Sequence, residues 1–271
     1  MNLLLARHLW GVDLSAGVAP HLARWRDVGY GAIETSAPLW REHPVLAREG
    51  FAFIADVYTD HGRTDGDVAR HIASLEEQVE EALPLRPLLF NIHSGLDRWS
   101  ERETEDYFHA ALALEQRTGV PFCHETHRRR CLATPWATTA LLDKFPALKL
   151  TADLSHWVCV TERLLEDFPD ALARVARHSH HIHARVGHEH GPQVPDPRAS
   201  EWQPHLLAHE AWWSQIWTAQ RARGFTTSTL TPEFGPPPYL WTWPGTGQPA
   251  ADLADVCDFV ARRERGRFAA G

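Results

Sequence analysis

The chain has 271 residues, of which 44% are hydrophobic and 23% charged, a composition typical of globular proteins. Its net charge of −8 and pI near 6.1 disfavour a nucleic-acid partner, because an acidic surface repels a polyanion. The sequence has no run of about 18 apolar residues and no secretion-signal pattern, so we expect a cytoplasmic protein without a membrane role. The cysteines lack CxxC spacing and predict free thiols: Cys123, Cys131, Cys159 and Cys257.

Short apolar stretches alternate with helix-patterned stretches along the whole chain. We predict strands near 3–10, 30–37, 51–58, 88–95, 120–126, 148–155, 180–187 and 226–234. We predict helices near 19–28, 40–48, 66–84, 102–117, 136–144, 162–178, 204–222 and 251–264. Eight strand–helix pairs indicate an α/β protein with a single-domain (β/α)8 TIM barrel over residues 1–271. A doubly wound open sheet is the alternative, although its usual glycine-rich phosphate turn is missing from the sequence.

Several local signals set the ends of these elements. Gly29 and Gly119 follow helical patterns where a left-handed residue ends a helix, and Ser100 begins a capping-box pattern. The segment 188–203 contains prolines and a glycine that disfavour regular structure. We expect this segment to be a loop over the barrel mouth.

Polar residues recur where the predicted strands end, and the carboxyl ends of barrel strands surround one accessible mouth. His8 and Trp10 share the inward side of the first strand, Glu34 ends the second, and His93 ends the fourth. Such residues often serve only as caps or packing groups. At this depth of the barrel, Trp10, Glu34 and His93 are candidates for binding a substrate.

The fifth and sixth strands carry the most ionisable residues. Cys123, Glu125 and His127 share one side of the fifth strand, in the stretch PFCHETHRRR. Asp153 lies on the inward side of the sixth strand, and His156 follows as the chain turns. Glu125 and Asp153 are therefore candidate metal ligands, and His127 is a candidate substrate contact.

The last two strands complete the set. In the seventh strand His183 and Arg185 point the same way, and Glu233 precedes the glycine-proline turn that ends the eighth. Three carboxylates and one imidazole from four consecutive strands fit a divalent cation with mixed oxygen and nitrogen ligands. We predict a metal site formed by Glu125, Asp153, His183 and Glu233, with Mn²⁺ favoured and Mg²⁺, Co²⁺ or Zn²⁺ as alternatives. Without a counterion these carboxylates would repel one another in a desolvated site.

These motifs resemble the xylose isomerase-like barrels, which include sugar-phosphate isomerases and epimerases, tagatose-type epimerases and inosose dehydratases. The resemblance covers the whole chain and rests on CHETHR, TADLSHW, HIHARVG with the following GPQVPDP, and TPEFGP. It implies metal ligation by the same four residues. It also implies that His156 contacts a substrate oxygen or, as in relatives with several metals, a second metal ion.

The activity that the resemblance implies is isomerisation or epimerisation of a sugar, sugar phosphate or related polyol or keto compound. In that chemistry a metal acidifies a C–H bond beside a carbonyl, and a carboxylate removes the proton to give an ene-diolate. Glu125 and Glu233 are the candidate proton-transfer groups. Arg185 and His156 would stabilise the oxyanion, and Trp10 and Trp157 would form apolar walls.

Three other functions stay open. A dehydratase of the inosose type would use the same metal and first proton abstraction and then expel a hydroxyl group. An apurinic endonuclease with three zinc ions shares the DxxH motif and His93, but the third strand lacks a histidine, and His61 comes only after it. A non-catalytic metal-binding barrel is the third. The tryptophans at 202, 212, 213 and 217 also suggest a homodimer contact.

Overall fold

A closed barrel of eight parallel strands, arranged around it in chain order, forms the centre of the molecule. The computed structural model describes residues 1–59 and 66–270. The strands are β1 Asn2–His8, β2 Tyr30–Thr35, β3 Ala52–Tyr58, β4 Phe90–His93, β5 Phe122–Glu125, β6 Lys149–Ala152, β7 Ser179–His183 and β8 Thr227–Thr231. Because β1 pairs with β8, the sheet has no open edge, which confirms the (β/α)8 barrel and excludes the open sheet.

Helices connect the strands on the outside of the barrel. They are α1 Leu22–Val28, α2 Ala37–Glu42, α3 Val45–Arg48, α4 Val68–Ala82, α5 Glu101–Thr118, α6 Pro135–Lys144, α7 Leu154–Thr161, α8 Pro169–His178, α9 Gln203–Ala222 and α10 Leu253–Ala270. Short 3₁₀ turns lie at Ala19–His21, Leu83–Leu85, Leu165–Asp167 and Ser200–Trp202. His61 and its neighbours 60–65 lie outside the described residues.

All eight predicted strands are present, but two regions were predicted wrongly in detail. The predicted strand 148–155 ends at Ala152, and α7 begins at Leu154 because the Asp153 side chain caps it. The predicted helix 162–178 is therefore a shorter helix, α8, preceded by α7 and a 3₁₀ turn. The predicted helix 40–48 is divided into α2 and α3, since Pro44 disfavours helical geometry in the residue before it.

The predicted helix ends are confirmed. Gly29 ends α1 with a φ of 96°, and Gly119 ends α5 with a φ of 70°, both in the left-handed region that glycine adopts without strain. Ser100 accepts a hydrogen bond from the Glu103 backbone while the Glu103 side chain accepts one in return. This capping box fixes the start of α5.

The barrel interior is apolar at its base and polar at its mouth. Ala6, Ala32, Ile54 and Cys123 form an apolar cluster inside the strands. Because side chains alternate along a strand, the inward residues two positions further on are His8, Glu34, Asp56 and Glu125. The change from apolar to polar residues along each strand therefore places the ionisable groups at the carboxyl ends.

Three of the tryptophans predicted at a dimer contact pack in the core. Trp212, Trp213 and Trp217 are buried in the core, so they do not form the surface of the predicted dimer contact. The four cysteines are free, as predicted. In the described part of the chain, helices with the length and apolarity needed to cross a bilayer are absent.

Candidate active site

A cavity of about 490 Å³ opens at the carboxyl ends of the strands. Its wall includes five of the predicted site residues: Trp10, His93, His127, Arg185 and Glu233. Further lining residues, some of them not singled out from the sequence, are His8, Thr35, Asp56, Tyr58 and Tyr239. The cavity is large enough for one sugar-sized molecule.

The four predicted ligands converge beneath this cavity. Glu125 ends β5, Asp153 follows β6, His183 ends β7 and Glu233 lies two residues beyond β8. One ligand atom from each residue lies within 4.8 Å of every other, and all four residues are buried. The side chains therefore share a common centre.

Asp153 reaches this centre from a helix cap and not from a strand. Its Oδ1 accepts hydrogen bonds from the Ser155 backbone at 3.1 Å and from the Ser155 hydroxyl at 2.5 Å. The hydroxyl of Thr126 lies 2.8 Å from the Asp153 backbone nitrogen and holds the turn against β5. These contacts leave Oδ2 directed at the interior.

His183 is oriented from behind by Glu34. Its Nε2 lies 2.8 Å from Glu34 Oε1, and Glu34 also contacts His181 on the same strand, β7, and Thr231 on β8. A protonated Nε2 leaves the other ring nitrogen, Nδ1, free to bind a cation. Nδ1 faces the centre, 3.1 Å from Glu233 Oε2.

Glu125 is held by the fourth strand. Asn91 donates a hydrogen bond to Glu125 Oε2 at 3.1 Å, and His93 Nε2 lies 2.8 Å from the same oxygen. The second oxygen, Oε1, has no hydrogen-bond partner among the described residues.

The donor set fits a divalent cation. Glu125 Oε1 is buried at the centre with no hydrogen-bond partner in the described part of the chain. His183 Nδ1 and Glu233 Oε2 face each other at 3.1 Å, but not in the geometry of a regular hydrogen bond. Buried polar atoms without partners are rare in folded proteins, and a bound ion is one of the few arrangements that satisfies them. Carboxylate oxygens with one imidazole nitrogen suit Mg²⁺, Mn²⁺ or Zn²⁺.

The chain also supplies positive charge of its own. The buried guanidinium of Arg185 contacts Asp153 Oδ2, and its Nη2 lies 3.3 Å from Glu233 Oε2. From the sequence we expected a metal alone to compensate these negative charges, and the contacts of Arg185 correct that expectation. Although burial raises the pKa of Glu233, the charges of Arg185 and His183 lower it to about 2. Burial and the neighbouring carboxylates raise the pKa of Asp153 to about 6 despite Arg185.

A second acid–base pair lies on the opposite wall. His8 Nε2 is 2.9 Å from Asp56 Oδ2, and His8 Nδ1 accepts a hydrogen bond from the Trp10 backbone at 2.9 Å. Burial opposes protonation, but the charges of Asp56, Glu34 and Glu233 raise the pKa of His8 to about 9. Asp56 was not predicted as a site residue. Its only signal in the sequence is its acidic side chain at an inward position of the otherwise apolar strand FAFIADVY.

Three histidines pack together beside the centre. The His127 ring lies 4.5 Å from His93 and 3.8 Å from His156. Burial is the main cause that lowers the pKa of His127 to about 3. Burial likewise lowers the pKa of His156, and the neighbouring His127 and Arg185 add to the effect. Neutral imidazoles can accept or donate a hydrogen bond.

Two predicted substrate contacts and one predicted wall residue lie away from the cavity surface. Glu34 is buried beneath His183, and His156 is buried behind Arg185, with its Nε2 2.6 Å from Nη2. Trp157 is fully buried and donates a hydrogen bond to the Leu132 carbonyl, so it packs in the core and does not form a wall.

Solved structures similar to this chain include TIM barrels of the xylose isomerase-like type. The probable 3-DHS dehydratase AsbF of Bacillus anthracis has 15% identity and a TM-score of 0.63, over 96% of this chain and 97% of that one. The 3-keto-D-glucoside 4-epimerase of E. coli has 12% identity and a TM-score of 0.63, over 98% of this chain and 100% of that one. A xylose isomerase-like TIM barrel protein from Mycobacterium smegmatis, in complex with magnesium, has 14% identity and a TM-score of 0.58, over 97% of each chain.

Sequence comparisons give no match, either to a family model or to a curated protein. The similarity to the solved structures nevertheless covers nearly all of both chains. The protein therefore has the fold of the xylose isomerase-like TIM barrels.

Proposed function

We propose that this protein is a divalent-metal-dependent isomerase or epimerase of a small carbohydrate-like substrate. The observation that supports this proposal most is the convergence of Glu125, Asp153, His183 and Glu233 beneath a sugar-sized cavity. Similar solved structures include an epimerase and a dehydratase, in line with such chemistry. The negative net charge argues against a nucleic-acid partner, and the free cysteines favour a cytoplasmic location.

The four converging residues would hold the metal, through three carboxylates and His183 Nδ1. When bound, the cation polarises a substrate carbonyl and the adjacent hydroxyl, which acidifies the C–H bond between them. Mn²⁺ and Mg²⁺ both accept this mixture of ligands. Glu34 then acts as a positioning residue for His183.

Proton transfer is assigned to the two glutamates. The Glu233 carboxylate reaches the cavity wall and is ionised at neutral pH, so it can accept the substrate proton. The electron pair of the broken C–H bond stays on the substrate as an ene-diolate. In an isomerisation Glu233 would return the proton it has taken to the neighbouring carbon. In an epimerisation Glu125, the second proton-transfer group, would deliver a proton taken from solvent to the opposite face of the ene-diolate, and Glu233 would release its proton to solvent.

Other residues bind and orient the substrate. The Arg185 guanidinium lies close to Glu233 and can stabilise the ene-diolate oxygens. His93 and His127 offer hydrogen bonds from the cavity wall, and Trp10 offers an apolar face. His156 acts through Arg185, since it contacts Nη2 and lies behind it.

Dehydration is the second candidate. His8 Nε2 lies on the cavity wall, 4.0 Å from Glu233 Oε1, and could protonate a hydroxyl group that leaves from the carbon beyond the ene-diolate. Product analysis separates the two reactions, because elimination releases water whereas epimerisation conserves the formula.

The proposal is tested by Glu233→Gln, with Glu80→Gln on the exposed side of α4 as the control. Ketoses, aldoses and inososes are incubated with the Mn²⁺-loaded protein in deuterium oxide, and label at carbon is measured by mass spectrometry. We expect the wild type and Glu80→Gln to incorporate deuterium, and Glu233→Gln to lose at least about a thousandfold in rate and to bind metal more weakly. Full activity in Glu233→Gln, or in protein shown to contain no metal, would refute the mechanism.

A further inference from the structure

An aromatic groove continues outward from the candidate active site. The cavity shares Tyr239 with a second depression, which in turn shares Trp202 and Trp241 with a third of about 700 Å³. Trp243 lines the outer end. We define the aromatic groove by the four residues Trp202, Tyr239, Trp241 and Trp243.

Tyr239 connects the groove directly to the reacting groups. The Arg185 guanidinium carbon lies 5.2 Å from the centre of the Tyr239 ring, and Trp10 packs against the same ring edge-on at 5.0 Å. A molecule seated beside Arg185 therefore meets Tyr239 as it leaves the cavity.

Backbone contacts hold the groove in place. Trp241 and Trp243 belong to a short antiparallel hairpin in which the Trp243 backbone donates to Gln248 at 2.8 Å and the Ala250 backbone donates to Trp241 at 2.7 Å. Residues two apart on such a strand share one side, so both rings face the same way. The rings are 48% and 60% exposed, although large apolar side chains are normally covered.

The loops on the two sides of the groove are joined by Gln193. Its amide donates to the Gly235 carbonyl at 3.1 Å and accepts from the Gly235 nitrogen at 2.7 Å. Trp202 lies at the end of the same loop as Gln193 and meets Trp241 edge-on, with ring centres 6.2 Å apart. The groove is thus built from two tied loops and does not depend on one mobile segment.

The chemistry of the groove suits a hydroxylated ligand with a flat apolar face. The C–H bonds of a pyranose ring with equatorial hydroxyls carry partial positive charge and stack on the negative faces of aromatic rings. At the outer end Asp196 and Glu201 line the wall, and Arg198 pairs with Asp196 at 2.7 Å. Arg128 lines the middle depression, 5.2 Å from the centre of the Tyr239 ring. Because the groove carries charges of both signs, its aromatic faces and not its charge indicate the class of ligand.

We propose that the aromatic groove is a binding subsite for a second sugar ring, so that the substrate is a glycoside or oligosaccharide with one residue in the cavity and the next on Trp241 and Trp243. The proposal rests on the proposed function for the position of the first ring. It names the substrate class more closely, as a saccharide of at least two residues.

The test compares D-glucose with eight glucose disaccharides, covering both anomers of the 1→2, 1→3, 1→4 and 1→6 linkages. Calorimetric titration of the full-length protein with Mn²⁺ gives the affinities. We expect at least one disaccharide to bind about tenfold tighter than glucose, since one stacked ring contributes a gain of this order. Trp241→Ala and Trp243→Ala should each remove that gain and leave glucose affinity within about twofold.

Trp136→Ala is the matched control, because Trp136 is 58% exposed on α6 and does not line the groove. The proposal is overturned if no disaccharide binds tighter than glucose, or if the gain survives both groove variants. It is also overturned if Trp243→Ala converts a dimer to a monomer in sedimentation, because the tryptophans would then cover one another. A wild type that binds the disaccharide yet incorporates no deuterium would refute the proposed function alone.

Discussion

Glu34 lies one layer below the candidate ligands and contacts the ring nitrogen of His183 that faces away from them, at 2.8 Å. A carboxylate in this position fixes the tautomer and orientation of the ring and raises its basicity. Glu34→Gln keeps the shape of the side chain and removes its charge. We expect metal affinity to fall by about 10- to 100-fold, with circular dichroism unchanged.

Metal titration with a fluorescent competitor measures this effect, and Glu80→Gln again serves as the control. An unchanged metal affinity in Glu34→Gln would show that His183 does not need the Glu34 carboxylate in order to bind metal. A direct substrate role for Glu34 would instead change KM at saturating metal.

For single residues, the sequence predicted that the candidate metal ligands converge, but it did not predict every residue that contacts them. Inward parity and strand ends were enough to bring Glu125, His183 and Glu233 to one centre, because both follow from local geometry. The contact of Glu34 with His183 joins β2 to β7 and is set by barrel closure, which no local pattern reports. The contacts of Arg185 with the carboxylates also depend on barrel closure. From the sequence, Arg185 was therefore predicted only as a substrate contact.

The start of α5 illustrates how a single helix end contributes to stability. Ser100 satisfies a backbone donor of the first turn that would otherwise have no partner. We expect Ser100→Ala to lower the free energy of unfolding by about 1 kcal/mol in urea denaturation, without a change in metal affinity. Ser100→Asp should restore most of the loss, since aspartate is also a good cap; equal stability of all three proteins would contradict this role.

The number of strands was predicted more accurately than the residues at which strands and helices begin and end. The eight strands follow from apolar stretches separated by helical patterns, and glycine marks the ends of α1 and α5. Asp153 was placed in a strand because its parity fitted, yet the stretch TADLSHW also contains a helix cap followed by an apolar run. The same stretch of sequence fits both a strand and a capped helix, and tertiary packing favours the helix.

Two buried carboxyl groups join α9 to α10 and link the stability of the whole molecule to pH. Glu264 lies beside Glu210, and Arg263 and Arg267 contact the pair. Burial, followed by the charge of Glu210, raises the pKa of Glu264 to about 8 from its ordinary value of 4.5, despite the opposing charge of Arg267. The folded protein therefore retains a proton that the unfolded chain releases.

Between pH 4.5 and about 8 unfolding releases this proton, so the contribution to the free energy of unfolding falls as pH rises through that range. We expect Glu264→Gln to be more stable than the wild type at pH 8 by up to about 4 kcal/mol, and nearly equal to it at pH 4.5. Urea denaturation at both values measures the difference, with Glu80→Gln as the control. A constant difference across the range would exclude proton release by Glu264.

The placement of Arg185 among the carboxylates bears on how the protein matures. Its guanidinium is covalently part of the chain, so Asp153 and Glu233 have a positive neighbour as soon as the barrel closes. We therefore expect the barrel to close without an ion, and a metal bound at the proposed site to be removable without unfolding the protein.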